Sequence, residues 1–192
     1  ANPQTTLKTM ADIEKQAKAS GRLDFGSGGP ASIGHIYGEL MRKEMNAQLV
    51  HVPYRGGAPM TTDLIAGIIP MGIDVLTAFV PYFKAGQIRP VAVTSKQRSS
   101  LVPDVPTVVE AGYPGLVLEN FFGLSGPAKM PADVVSRLNG ATGEVLQDAD
   151  FKKKMAELGI ATQPTSAAGF AAFVREQVAQ LAPVVKGSGV KL

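Results

Sequence analysis

The run Leu23, Asp24, Phe25, Gly26, Ser27, Gly28, Gly29, Pro30 constrains this chain more than any other. Leu23 and Phe25 alternate as a half-buried strand does, and three glycines within four positions end that strand. Pro30 suits the first turn of a helix, where a missing N–H costs nothing. Ile33, Tyr37, Leu40, Met41 and Met45 then recur at helical spacing and form a buried stripe, with Glu39, Arg42 and Lys43 facing water. A strand that enters a helix through a glycine loop is half of a β–α–β unit.

The same rhythm continues on both sides. Thr9 and Asp12 resemble a capping box ahead of Met10, Ile13 and Ala17, and Gly21 stops that first helix. Residues 49–52 predict a strand, 53–57 a turn, 60–66 a short helix ending at Gly67, and 69–75 another strand. A helix over 79–85 ends at Gly86 and a strand follows at 90–94. Strands and helices alternating through short glycine-rich loops predict an α/β lobe with a mainly parallel sheet.

Beyond Ser95 the texture changes. Residues 98–115 are rich in Pro and Gly, with a brief helix expected at 106–111. Residues 116–124 read as extended and 126–131 as a loop. Helical patterns then dominate: Val134, Val135, Leu138, Ala141 and Val145 make one face, Phe151, Met155 and Leu158 a second, and Phe170, Phe173, Val174, Val178 and Leu181 a third. One strand, at Ile160 and Ala161, is expected among them. The chain thus divides into an α/β ligand-binding domain over 1–118 and a helix-rich segment over 119–192 with little sheet of its own to cover.

Composition narrows the chemistry. Hydrophobic residues make up 45% of the 192 and charged ones 18%, a globular balance with no apolar run of membrane-spanning length. There are no cysteines and two histidines, His35 and His51, which removes thiol chemistry and leaves a zinc site short of ligands. A net charge of +3 does not imply nucleic acid. The opening ten residues carry neither the basic nor the apolar region of an export signal.

Two loops carry the candidate site. In the first, Gly26, Gly28 and Gly29 let a ligand approach the backbone, Ser27 and Ser32 add hydroxyls, and the helix N-terminus offers N–H groups and a favourable dipole to an anion. The same residues also suit a simple tight turn. His35, one turn into the helix, either donates to a bound carboxylate or packs beneath the loop. In the second loop, Tyr54, Arg55, Gly56 and Gly57 follow a strand and precede a helix, so they belong at the same sheet end. Their guanidinium and exposed N–H groups suit a carboxylate. Asp74 closes the third strand, as a structural or a ligand-facing acid.

Nucleotide chemistry fits less well. No Gly-Lys-Ser/Thr follows the glycines, so a P-loop is excluded. Gly26, Gly28 and Ala31 match a relaxed dinucleotide fingerprint, yet the next strand ends at Val52 and Pro53 without an acid for a ribose. A hydrolase triad of Ser27 or Ser32 with His35 and Asp74 lacks the G-x-S-x-G elbow. No catalytic residue, metal or cofactor is assigned.

Larger motifs give a resemblance. His51-Val-Pro-Tyr-Arg-Gly-Gly-Ala-Pro59 with Thr62-Asp-Leu64 and Gly67 resembles the hallmark of the Bug-type solute receptors of tripartite tricarboxylate transporters. So do the run from Ala85 to Ser95 with Arg98, Pro103-Asp-Val-Pro-Thr107 with Glu110-Ala-Gly112, and Phe122-Gly-Leu-Ser-Gly-Pro127 with Pro131. Gly26 to Gly29, His35 and Glu39 fit as well. The motifs span nearly the whole chain in the family's order, although Phe122 stands where members often have Trp.

The resemblance implies a two-lobed Venus-flytrap receptor that captures a small carboxylate in the periplasm and passes it to membrane transporter subunits. In the family, backbone N–H groups and ordered waters from a strand–loop–helix unit of each lobe hold the ligand. Residues 26–32 correspond to the second-lobe unit, with residues 54–57 and Asp74 beside the cleft. The resemblance also implies that the first-lobe carboxylate loop is missing, which leaves 119–192 as the C-terminal part of an incomplete first lobe. A homodimer or a complementing fragment is the expected remedy. Two other readings stand beside this receptor: a truncated protein-interaction module that binds no solute, and a small dinucleotide-dependent oxidoreductase.

Overall fold

The glycine loop is preceded by a strand that runs further than its apolar alternation suggests. In the computed structural model, which describes residues 1–187, β1 spans Leu23–Ser27 and carries its pairing into the loop itself. The last five residues of the 119–192 segment lie outside the described residues. β1 is central in a three-stranded parallel sheet of order β2-β1-β3, with β2 at Leu49–Pro53 and β3 at Met71–Gly72. Phe25 faces both His51 and Met71 in register. The expected strand over 69–75 thus shortens to two residues, although the Ile73 N–H still reaches Gly26 O at 3.0 Å.

Helices cover both faces of this sheet, and glycines set how closely they do so. α1 (Met10–Ser20) is capped by Thr9 and Asp12, buries Met10, Ile13 and Ala17, and ends at Gly21 with φ 69°. α2 (Ile33–Glu44) crosses the face that carries Phe25 and Ser27. A Cβ at Gly38 would fall 2.1 Å from the Phe25 ring, and one at Gly34 would fall 2.2 Å from Ile73 O. Two glycines one turn apart therefore lay the helix backbone directly on the strands. This rotates Ile33 off the core, and it is 37% exposed instead of belonging to the buried stripe.

The opposite face is covered by α3 (Gly57–Ala66) and α4 (Leu76–Lys84). Successive strand residues alternate between faces, and a Cβ at Gly26 would strike Ile69 and Met60 there. Met60, Leu64, Ile69, Phe79 and Ile88 form the hydrophobic core of that side. Residues 1–8 are stitched to it by polar groups: Asn2 Nδ2 donates to Leu64 O at 2.8 Å, and the Arg89 guanidinium donates to the carbonyls of Pro3 and Thr5.

Four expected elements are not formed. Residues 90–94 do not join the sheet. Val93 makes an isolated parallel bridge to Thr107, donating to Pro106 O at 3.0 Å and accepting from Val108 N. Proline at position 90 has no N–H to offer a ladder, and the partner segment supplies its own bonds. Residues 106–111 stay a turn closed by Thr107 and Glu110, whose side chains each accept from the other's backbone N–H. Residues 116–124 hold no strand: a 3-10 turn at Pro114–Leu116 leads into irregular backbone, tied by Thr94 Oγ1 to Leu118 O. Ile160 and Ala161 likewise form no strand.

The chain separates into two compact units, one made of Ala1–Asn120 with the stretch that starts at Val184, the other of Phe121–Pro183. The second unit contains α5 (Ala132–Gln147), α6 (Ala149–Glu157) and most of α7 (Ala167–Gly187). Phe121 packs edge-on against Phe170 and Phe173. Neither α5 nor α6 buries a single residue, and Leu138, Val145 and Leu158 are about half exposed, at 45%, 50% and 52%. No strand occurs within Phe121–Pro183. Among the described residues no helix is long and apolar enough to cross a membrane.

Candidate functional site

The parallel register of β1 and β2 sends both candidate loops out of the same sheet edge. They are joined there by backbone: the Tyr54 N–H donates to Ser27 O and the Gly56 N–H donates to Gly28 O, both at 3.1 Å. A Cβ on Gly28 would lie 3.6 Å from Gly56 C and from Gly57 N, so the loops touch. Gly29 (φ 134°) and Gly56 (φ 110°) hold left-handed conformations that a side chain rarely adopts. This edge, at the carboxyl ends of parallel strands, is where open α/β sheets collect ligands.

Two helices begin at this junction. At the start of α2, Ser32 is the N-cap and its Oγ accepts from the His35 N–H at 3.3 Å. Ile33 and Gly34, in the first turn, have no intrahelical acceptor for their N–H groups. At the start of α3 the cap is Gly56, which has no side chain to satisfy anything, and Pro59 contributes no N–H. Gly57 and Ala58 therefore present the free donors of that turn. Two helix N-termini thus follow directly on two loops that touch, an arrangement that favours an anion.

The side chains divide between the exposed surface of the loops and its foundation. Arg55 is exposed and makes no hydrogen bond or ion pair among the described residues. Tyr54 turns its hydroxyl to Asp63 Oδ2 at 2.8 Å, and burial followed by that bond pushes its phenol up to about 12. Asp74 accepts from the Val75 N–H at 2.8 Å, and its Oδ2 lies 2.5 Å from where a Gly57 Cβ would sit, against the first turn of α3. Ser27 is not the accessible hydroxyl donor expected from the sequence, being fully buried at 0% exposure, and His35 is 8% exposed. Both lie under the loop because α2 is pressed onto β1 at Gly34.

His51 belongs to the same foundation and was passed over as a site residue. Its Nε2 lies 2.6 Å from Ser27 Oγ, and its ring stacks on that of His35 at 3.8 Å with 12° between planes. Burial, then the neighbouring His35, draws the His51 pKa down to about 4. On β2 it stands opposite Phe25, on the face that α2 covers, a pairing that no spacing in the sequence signals. Ser27 and His51 have the spacing of a nucleophile and base. Ser27 is inaccessible, however, and no carboxylate bonds His51 Nδ1 among the described residues.

A separate hollow of about 520 Å³ opens beside the start of α1, lined by Lys8, Met10, Val91, Asp104, Val105 and Glu110 among others. It shares no residue with the two loops. Two acids against one lysine make it a poor place for an anion. No group of three or more His, Cys, Asp or Glu able to hold a metal occurs among the described residues.

Comparison with known proteins gives this geometry its context. The Bordetella pertussis protein BugT is 28% identical over 195 residues, covering all of this chain and 59% of BugT. The structure of R. palustris Rpa4515 with adipate superposes with a TM-score of 0.82 at 30% identity, over 98% of this chain and 64% of that one. MatC of Rhodopseudomonas palustris with bound malate gives 0.78 at 25% identity, over 96% and 64%. The chain thus spans about six tenths of the length of these relatives. Residues 1–190 match the receptor of the tripartite tricarboxylate transporter family, and the chain belongs to that family of solute-binding receptors.

Proposed function

We propose that this chain is the loop-bearing part of a periplasmic receptor that captures a small carboxylate for a tripartite tricarboxylate-type transporter. One observation carries the reading: the Gly56 N–H bond to Gly28 O at 3.1 Å, which holds the N-termini of α2 and α3 side by side at the carboxyl edge of the sheet. The acids in the two similar structures, adipate and malate, are of the class such donors would hold. Arg55 adds a free guanidinium at the rim. Asp74 is an acceptor only, so it would face a hydroxyl or ammonium of the ligand, or an ordered water, rather than its carboxylate. In this reading residues 1–118 form the second lobe and 119–192 belong to the other lobe, completed by a second copy or a complementing fragment.

A thermal-shift screen tests the proposal, with adipate, malate, an amino acid and NAD offered to the wild type and to Gly28→Val. Adipate or malate is expected to raise the melting temperature of the wild type and not of the variant, whose branched side chain fills the 3.6 Å gap to Gly57. Stabilisation by NAD alone, or undiminished acid binding by the variant, would overturn it.

A further inference from the structure

We propose that His51 is a positioning residue for the carboxylate loop: it ends a one-way chain of hydrogen bonds that starts at the first turn of α2, and it does so as the neutral Nδ1–H tautomer. The proposal rests on the reading of residues 26–32 as a carboxylate site, and says how that site keeps its shape.

The direction of the chain follows once the Ser32 hydroxyl donates inward. The His35 N–H donates to Ser32 Oγ at 3.3 Å, and Ser32 Oγ donates in turn to Ser27 Oγ at 3.0 Å. Ser27 Oγ also accepts from the Gly29 N–H at 3.3 Å. A hydroxyl oxygen has two lone pairs, and both are now occupied. The single Ser27 proton has two possible acceptors, Gly29 O at 3.2 Å and His51 Nε2 at 2.6 Å. The shorter contact takes it. Were His51 Nε2 protonated instead, Ser27 Oγ would accept from it and from the Gly29 N–H, and the Ser32 hydroxyl would have to turn its proton away from Ser27. With Ser32 donating inward, His51 Nε2 is the acceptor and its proton resides on Nδ1.

The stacked partner is fixed the opposite way. The Ala31 N–H donates to His35 Nδ1 at 3.1 Å, which leaves the His35 proton on Nε2. Ala31 has φ 60°, a left-handed conformation that a non-glycine residue rarely adopts, and this bond helps to hold it. Each ring thus grips one point of the loop through an unprotonated nitrogen. A proton on either would set donor against donor and a charge 3.8 Å from its neighbour. The low pKa of His51 agrees with a ring kept neutral. One consequence concerns the ligand. The Ser32 proton is directed inward, so the loop meets an anion with main-chain N–H groups, and the side chains determine where those groups stand.

The test has two parts. In the unliganded protein at neutral pH, side-chain ¹⁵N correlation spectra are expected to show His51 as the Nδ1–H tautomer and His35 as the Nε2–H tautomer. Finding Nε2–H at His51 would overturn the proposal whatever the protein binds. Adipate is then titrated into the wild type, His51→Phe, which keeps a ring over His35 and loses the acceptor, and His51→Gln, which restores an acceptor near the Nε2 position. His51→Phe is expected to weaken adipate binding about tenfold, the usual worth of one buried hydrogen bond, with most of the loss recovered in His51→Gln. Equal affinities in both variants, high or low, would overturn the positioning role. Absence of adipate binding by the wild type would count against the receptor reading alone, because the tautomer spectra would still decide the arrangement of the loop.

Discussion

Replacing Gly34 by alanine sets two physical effects against each other, and the structure says which prevails. Alanine is favoured over glycine inside a helix by about 1 kcal/mol. At Gly34, however, the added Cβ would lie 2.2 Å from Ile73 O and 3.0 Å from Ser27 Cβ. Ordinary contact begins near 3.4 Å, so the start of α2 must withdraw from the sheet by 3.4 − 2.2 = 1.2 Å. The obstacle is a main-chain carbonyl beside the Ile73 bond to Gly26, with no flexible end to swing aside. Overpacking of this kind costs about 1–3 kcal/mol, and a backbone obstacle puts it at the upper end. The net destabilisation is about 2 kcal/mol, or roughly 4–8 °C in melting temperature for a chain of this size. The same withdrawal stretches the 3.0 Å contact between Ser32 and Ser27 past hydrogen-bonding range, so acid binding should weaken as well. Denaturant melts and adipate titrations of the variant measure both. Gly140→Ala in α5, where nothing lies within 4 Å, is the control and should be stabilising by about 0.5–1 kcal/mol. Gly34→Ala melting at or above the wild type with unchanged binding would refute the packing argument.

Acidification should destabilise the protein early. His51 titrates near 4 in the fold against an ordinary 6.5, so the unfolded chain binds more protons between those values and stability falls as pH drops through that window. Urea midpoints measured from pH 7 to 5 should decline in the wild type and stay flatter in His51→Gln. Identical slopes would contradict the assignment. Tyr37→Phe removes a buried hydroxyl that donates to Leu116 O at 2.9 Å, and should cost about 1–2 kcal/mol in denaturant melts without altering acid binding. The uncovered faces of α5 and α6 predict association or dye binding: sedimentation should show self-association or the protein should bind an apolar dye, and Leu138→Ser with Leu158→Ser should reduce either. A dye-silent monomer would count against the idea that these helices await cover.

Local punctuation made the loops legible. Glycine and proline at 26–30 and at 56–59 mark the strand-to-helix turns, and their common sheet edge follows once β1 and β2 run parallel. Gly34 and Gly38 were harder to read, because a glycine inside a helical pattern signals weakness unless one knows that Phe25 and Ile73 lie beneath it. His51 was missed for a related reason. Its partners lie across the sheet and on α2, with Ser27 at 24 residues' separation, and no spacing along the chain announces such a pair. Residues 90–94 have a strand's composition, yet composition does not name the partner, and Val93 found the segment at 106–108. The C-terminal helices were visible from their periodicity, and α5 and α6 bury no residue.

The central claim is that the two joined loops hold a carboxylate, and amide chemical shifts during an adipate titration test it most directly. Weak binding is still visible by this measurement. The account predicts saturable shifts concentrated at Gly28 and at the main-chain donors Ile33, Gly34, Gly57 and Ala58, with smaller changes at Arg55 and Asp74, and their loss in Gly28→Val. Shifts centred on the hollow around Lys8 and Val105, or no saturable shift in either loop, would contradict it.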